Sequence, residues 1–422
     1  MSESHIAEGS PARQRGGATA WLVWGLAVAF VIYLFSFQTG YSIVNASIRK
    51  EAGLTVVQVG FIAAAYTWSF AVFQLFSGAL LDRLGARWVL PPAIALVTLG
   101  VFVFAHAARF ETMIAAQLIL ALGACAGFVG AGYVGGQWFG MAKFGVMFGL
   151  VQCLASAFSA FNQNLIGFAL QYASWRELFN WIGAGGVVLC GVGFAFIRDP
   201  APVRGMQHGI AAFVREVVGS IVEVARVGHV WIAAAYGALC FGALLAAGVV
   251  WAPKLMQVRG IPEQTANLAA SVLWLGLAVG CILIPRWSDA VRRRKQPALV
   301  GIGLQLAALL ALVYVPELPS PAPMALWFLF GLGAAAHMLA FSAAGDAVSL
   351  DRIGTSAAIV NGTMFLLSGL LIARPGQIAA EAVASGAPIT MDLAASAVRP
   401  LVWGLLAALV LASVIRESYP RA

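Results

Sequence analysis

Charge is scarce in this chain. Asp, Glu, Lys and Arg make up 10% of its 422 residues, while hydrophobic residues make up 61%. A soluble globular domain carries about 25% charged residues, so a soluble fold is excluded. No charge-rich stretch is long enough to form an appended soluble domain. Cysteine is also rare: Cys125, Cys153, Cys190, Cys240 and Cys281 all lie inside apolar runs, with no C-x-x-C pair. That argues against a disulfide or metal framework and for small packing residues. The histidines are His5, His106, His208, His229 and His337, and none forms an H-x-x-x-x-D pair. The acid–base pair of a membrane-embedded acyltransferase is therefore missing, and the chain does not read as an enzyme. No Walker loop is present, so ATP does not drive the protein directly. No cofactor is implied.

Apolar runs near the ~20 residues that span a bilayer recur along the whole length. They place helices at about 20–46, 57–81, 87–107, 112–135, 143–170, 177–197, 229–253, 264–286, 297–315, 322–346, 354–377 and 393–415. The expected fold is an all-α integral membrane protein with 12 transmembrane helices in two six-helix pseudo-repeats. Residues 1–18 form a polar tail, 19–197 the N-terminal half, 198–228 a linker and 229–422 the C-terminal half. The run starting at Trp21 is not followed by an A-x-A site and reads as a first membrane helix, not a signal peptide. In the linker, Pro200 and Pro202 precede an amphipathic stretch near 210–227, expected to lie along the membrane surface. Both termini are placed in the cytoplasm. Most of the 25 Lys and Arg residues then fall on the inner side, including Arg13, Arg15, Arg83, Arg87, Arg204, Arg421 and the 292–295 cluster. The positive-inside rule favours this orientation. The net charge of +8 then follows the bilayer, and no nucleic-acid partner is implied.

The turn Ser77-Gly-Ala-Leu-Leu-Asp-Arg-Leu-Gly-Ala-Arg-Trp-Val-Leu90 links the second and third helices. A degenerate copy, Pro285-Arg-Trp-Ser-Asp-Ala-Val-Arg-Arg-Arg-Lys295, links the eighth and ninth. Asp82 and Arg87 are five apart, as are Asp289 and Arg294, and the two aspartates stand 207 residues apart. That offset is half the chain and marks a duplicated six-helix unit. Gly78 and Gly85 permit close helix approach and a tight turn. Asp82, at a helix end, can pair with a basic residue or cap a neighbouring helix N-terminus.

At these residues the chain resembles the major facilitator superfamily, whose signature loop reads G-x-L-x-D-R-x-G-x-R. Gly78, Leu80, Asp82, Arg83, Gly85 and Arg87 stand in register with it. Trp138-Phe139 and Trp175-Arg176-Glu-Leu-Phe179 fit as well, and the resemblance covers the full length. It implies that Gly78, Asp82, Arg83, Gly85 and Arg87 form a gate latch closing the cytoplasmic side and released when the carrier switches state. Asp289 and Arg294 form the second copy, and Asp346 is expected to pair with a basic residue of the 286–295 loop. The alternative is that these charges only set topology. Two departures bear on function. Gln117 and Ala121 stand where many relatives carry an R-x-x-x-G linked to proton coupling, and the fifth helix has no proline-glycine antiporter pattern. Both weaken a reading as a proton-antiporting drug exporter.

Polar residues inside a membrane are costly and therefore informative. They form stripes at helical spacing: Gln38, Tyr41 and Asn45; Tyr66, Ser69, Phe73 and Ser77; and Gln152, Ser156, Ser159 and Gln163, flanked by Asn162 and Asn164. The candidate substrate contacts in the first half are Gln38, Tyr66, Gln152, Ser156 and Gln163. In the second half they are Tyr236, Trp274, His337, Asn361 and Arg374. Each has a plain alternative in packing or interhelical hydrogen bonding. His337 is the one histidine near a midplane, and an unperturbed pKa of about 6.5 suits it to a coupling proton. Arg374 lies about 9 Å outward of the centre of the eleventh helix. There it either receives a carboxylate from outside or snorkels from a helix end broken at Pro375-Gly376.

The reading is an inner-membrane secondary transporter that moves a small polar organic solute, a carboxylate among the candidates, by alternating access. Proton-coupled uptake (symport) is favoured. The alternative is a facilitator or efflux carrier of a neutral or amphipathic solute. A general resemblance to bacterial organic-anion and metabolite uptake carriers favours the first. The partners are the small-molecule substrate, protons and membrane lipid, and the chain reads as a monomer.

Overall fold

The computed structural model describes residues 16–203, 209–385 and 390–419. Arg13, Arg15, Arg204 and Arg421 lie outside the described residues, as do the side chains of Asn45, Gln163, Asn164 and Arg374.

The regular structure of the described residues is helical throughout. The first half holds α1 (Gly17–Glu51), α2 (Val56–Leu84), α3 (Ala86–His106), α4 (Phe110–Ala124), α5 (Gly127–Phe139), α6 (Phe144–Ala169) and α7 (Trp175–Phe196). A separate helix, α8 (Gly209–Ala225), lies in the linker. The second half holds α9 (Gly228–Ala246), α10 (Ala252–Val258), α11 (Glu263–Val291), α12 (Lys295–Tyr314), α13 (Ala322–Ala334), α14 (Met338–Gly345), α15 (Ile353–Ala384) and α16 (Met391–Val414). Eleven helical stretches among the described residues are long and apolar enough to cross a membrane. The shorter apolar part of α6, Phe144–Ser159, brings them to the expected twelve. Outward-facing Trp88, Phe161, Val188 and Trp403 are exposed, as side chains that face lipid must be.

Three spans expected as continuous helices are broken. The fourth divides into α4 and α5 at Cys125-Ala126, and the break frees the Cys125 carbonyl to accept from Gln74 Nε2 at 2.8 Å. The seventh passes through a π-helical turn, Ala247–Trp251, before Pro253. A proline has no N–H to give the preceding turn, and a widened turn accommodates the loss. The tenth carries a 3-10 turn, Ala335–His337, between α13 and α14. The eleventh corrects the sequence reading in the other direction. It was expected to break at Pro375, yet α15 runs on to Ala384. Transmembrane helices tolerate proline because neighbouring groups re-satisfy the freed carbonyl. Arg374 therefore stands within a helix, not at a frayed end.

The duplication is visible in the backbone. Gly85 alone joins α2 to α3, with φ 79°. The position 207 residues on is Arg292, which takes the same left-handed region with φ 54°. A side chain there is uncommon, so the second copy keeps the turn without its glycine.

Helices of the two halves meet most closely at the end that carries these turns, here the turn end. Gly78 of α2 sits so near the Gly354 carbonyl of α15 that a Cβ would collide with it. Gly149 of α6 meets the Cys281 carbonyl of α11 in the same way. Small residues let transmembrane backbones approach like this. At the opposite end two arginines tie helix termini. Arg176 donates to the Ala105 and Ala107 carbonyls at the end of α3 (2.6 and 3.0 Å). Arg259 donates to the Leu312 and Val315 carbonyls at the end of α12. The third and ninth spans are thus capped alike, by cations on carbonyls left unpaired at a helix C-terminus.

Candidate functional site

The turn end is built around one carboxylate. Asp82, in the last turn of α2, accepts from the Gly354 and Thr355 backbone N–H groups (2.8 and 2.7 Å) and from Thr355 Oγ1 (2.7 Å). It caps the N-terminus of α15, where unpaired N–H groups and the helix dipole favour negative charge. Of the two options open to Asp82 in the sequence, the cap is the one realised. Arg83 pairs with Glu216 of α8 at 2.6 Å. Arg352, just before α15, pairs with Glu223 of α8 at 2.9 Å. The linker helix therefore carries one ion pair to each half, while burying Val217, Ser220 and Val224. The side chain of Arg87 is exposed, and its backbone N–H and that of Ala86 donate to Asp199 (3.2 and 2.8 Å). Asp199 thus caps α3. Burial pushes its carboxyl above the ordinary range, and those two N–H groups oppose the rise.

The second copy of the turn closes on its own half. Arg294 donates to Asp289 at 2.7 Å, to Asp346 at 3.0 Å and to Ser288 Oγ at 3.1 Å, and its guanidinium lies 4.6 Å from the Tyr419 ring centre. The basic partner expected for Asp346 is thus Arg294. Burial would lower the Arg294 pKa, but Asp346 and Asp289 outweigh it and leave it raised. Burial raises that of Asp346, against the pull of Arg294.

A polar and aromatic floor follows inward from the turn end. Gln74 is fully buried. It donates to Ser77 Oγ (2.9 Å) and the Cys125 carbonyl, and accepts from Asn361 Nδ2 at 2.9 Å, which joins α2 to α15. Phe148 of α6 stacks on Phe341 of α14 with centroids 4.7 Å apart. Beyond this floor lies a cavity of about 540 Å³ between the halves, within the range of small-molecule sites. It takes in Gln38 of α1, Tyr66 and Phe70 of α2, Gln152 of α6, His337 before α14, and Asn361 and Phe365 of α15.

Five of the ten sequence candidates, Gln38, Tyr66, Gln152, His337 and Asn361, are therefore brought to one cavity. Three are placed elsewhere. Ser156 is buried and accepts from Gln152 Nε2 at 2.9 Å, so it positions a lining residue and does not line the cavity itself. Tyr236 is buried in the α9 core. Trp274 packs against the core near Gly248. For Gln163 and Arg374 the side chains lie outside the described residues. The imidazole of His337 faces the Ala334 carbonyl through Nδ1 at 2.7 Å. A carbonyl only accepts, so Nδ1 carries the proton in the neutral ring and Nε2 is the acceptor. No described charged side chain lines the cavity. Sequence reasoning missed Gln74, Asp199, Glu216, Glu223 and Thr355. Gln74 falls one turn before Gly78, off the Tyr66 stripe, and an amide inside an apolar run is the one sequence signal that would have flagged it.

Comparison with known proteins accords with this architecture. The sequence profile of the Major Facilitator Superfamily matches residues 25–373, and the chain belongs to that family. It is a transporter, not an enzyme. It is similar to the "Probable galactarate/D-glucarate transporter GudP" of Escherichia coli, 22% identical over 70% of this chain and 73% of that one. It is also similar to the "Probable sulfoacetate transporter SauU" of Cupriavidus necator, 23% identical over 64% and 65%. A match to the "Uncharacterized transporter YybO" of Bacillus subtilis, 24% identical, spans 40% of this chain and 39% of that one. Among solved structures it resembles the proton:xylose symporter XylE, with TM-score 0.65 and 14% identity over 95% of this chain and 96% of that one. Human organic anion transporter MFSD10 gives TM-score 0.65 and 12% identity over 94% and 100%.

Proposed function

We propose that this protein carries a small organic acid across the inner membrane by alternating access, as proton-coupled uptake, with the turn end and both termini in the cytoplasm. The observation that carries the reading is the cavity between the halves, bordered by Gln38, Gln152, His337 and Asn361 and blocked at the turn end by the Asp82 cap and the Gln74–Asn361 bridge. The similarity to GudP and SauU supports an organic acid. In this account the halves 19–197 and 229–422 rock about the cavity. Breaking the Asp82 cap on α15 opens the turn end. His337, which borders the cavity and has Nδ1 engaged by the Ala334 carbonyl, takes the coupling proton at Nε2. Arg374, two residues beyond the cavity residue Ile372 on α15, supplies the positive charge for the carboxylate.

The test is uptake into proteoliposomes under an imposed pH gradient, comparing wild type with His337→Ala and Arg374→Ala. Gradient-driven accumulation of an acid is expected in wild type. His337→Ala removes the gradient dependence and Arg374→Ala abolishes accumulation. A second reading, a facilitator or efflux carrier of a neutral or amphipathic solute, is favoured by the uncharged described lining. Equilibration of a neutral solute without regard to the gradient, unchanged in both variants, would decide for it.

A further inference from the structure

The cavity is walled by rings. Tyr66 and Phe70 of α2 stack with centroids 5.7 Å apart. Phe70 meets Phe365 of α15 at 4.7 Å, Phe365 meets Phe241 of α9 at 5.7 Å, and Phe241 meets His337 at 5.1 Å. All five border the cavity, and the row crosses from one half of the molecule to the other. Most polar groups in the lining already have protein partners. The Tyr41 hydroxyl donates to the Val59 carbonyl, Thr67 Oγ1 to Ala63, Asn361 Nδ2 to Gln74 and Gln152 Nε2 to Ser156. A sugar acid bears a hydroxyl on nearly every carbon. Against this wall it would exchange water for aromatic faces and leave those hydroxyls unpaired, which opposes binding. An apolar ring meets the same faces with favourable edge and stacking geometry.

We infer that the solute is an acid with an apolar ring as its body, of the benzoate or phenylacetate type, and not a polyhydroxylated sugar acid such as the name of GudP specifies. The inference rests on the organic-acid reading above. The ring lies along the Phe70–Phe365–Phe241 row, and the carboxylate is the group that the reading above gives to Arg374. The ring then spans both halves, so ligand binding couples to their relative position.

The test is equilibrium binding to the full-length protein in lipid nanodiscs, with benzoate, cyclohexanecarboxylate and D-glucarate as probes, paired with proteoliposome uptake of each. Benzoate is expected to bind at least about tenfold more tightly than D-glucarate. Phe365→Leu is expected to weaken benzoate about fivefold while leaving cyclohexanecarboxylate nearly unchanged, since an aliphatic ring gains little from aromatic faces. Phe241→Leu serves as the second variant should Phe365→Leu unsettle the fold, with thermal unfolding recorded for both. Tighter binding of D-glucarate than of benzoate, with D-glucarate uptake, overturns this inference and leaves the organic-acid reading standing. Benzoate binding unchanged in both folded variants also overturns it. If neither acid binds or is carried, the organic-acid reading falls, and this inference with it.

Discussion

Single side chains hold this state together at both ends. Asp82 satisfies three donors at the start of α15, and losing a helix cap costs about 0.5–2 kcal/mol. Asp82→Ala is therefore expected to favour parting of the turn end by about fivefold. Cys281, fully buried where α11 meets α6, is a native reporter: its alkylation rate, read by mass spectrometry, rises by that factor. An unchanged rate would mean that the cap does not hold the end closed. Glu51 at the opposite end takes Trp175 Nε1 at 2.6 Å and Arg176 Nε at 2.8 Å. The hydrogen bond from Arg176 keeps the Glu51 carboxyl below its ordinary value of 4.5. Its contribution is fully present above that value and disappears as pH falls through the lowered folded pKa. The pair is half exposed, so the effect stays under about 1 kcal/mol. Thermal unfolding of Glu51→Gln is expected to fall slightly below wild type at pH 7 and to converge with it once the pH has fallen through the lowered folded pKa. A gap that persists in acid would place the loss in packing instead.

At the scale of helices, the sequence was most legible where its signal is local. The twelve apolar runs, the turn at Gly85 and its copy at Arg292 are all contained in short windows. The breaks at Cys125, Ala247–Trp251 and Ala335–His337 were not, because they depend on which neighbour takes the freed carbonyl. Gln152 and Ser156 lie on one stripe, one turn apart, yet only Gln152 reaches the cavity. Rotation does not separate two residues on one face; Ser156 is instead taken up by the Gln152 amide, a pairing that the stripe does not reveal. The partners of Asp82 lie more than 270 residues away in sequence, beyond any periodicity. Two predictions belong to this scale. Gly78→Ala drives a methyl group into the Gly354 carbonyl, and overpacking costs about 1–3 kcal/mol. It is expected to lower the thermal midpoint and speed Cys281 alkylation, whereas Gly167→Ala, facing open space, changes neither. The linker helix α8 holds Arg83 and Arg352 through Glu216 and Glu223. Replacing both glutamates with glutamine is expected to raise Cys281 alkylation two- to threefold, about 0.5 kcal/mol in all. No change would reduce α8 to a passive cover.

At the scale of the molecule, the halves meet through α2 with α15 and α6 with α11 at the turn end, and part around the cavity. The proposed cycle requires the turn-end contacts to break and re-form with every passage of solute. The fold class was readable from composition and the half-chain repeat alone. The closed end was not, because closure is a relation between helices from different halves. It can be locked at Gly145 of α6 and Ser342 of α14, since a Cβ on Gly145 would lie 3.7 Å from that of Ser342, close to the ~3.8 Å mean for a disulfide. The most direct test is uptake by proteoliposomes carrying Gly145→Cys with Ser342→Cys, oxidised and then reduced, beside each single variant. The account predicts that oxidation stops uptake of the carried acid in the double variant alone and that reduction restores it. Uptake at the wild-type rate with the cross-link confirmed in place would contradict alternating access through this end.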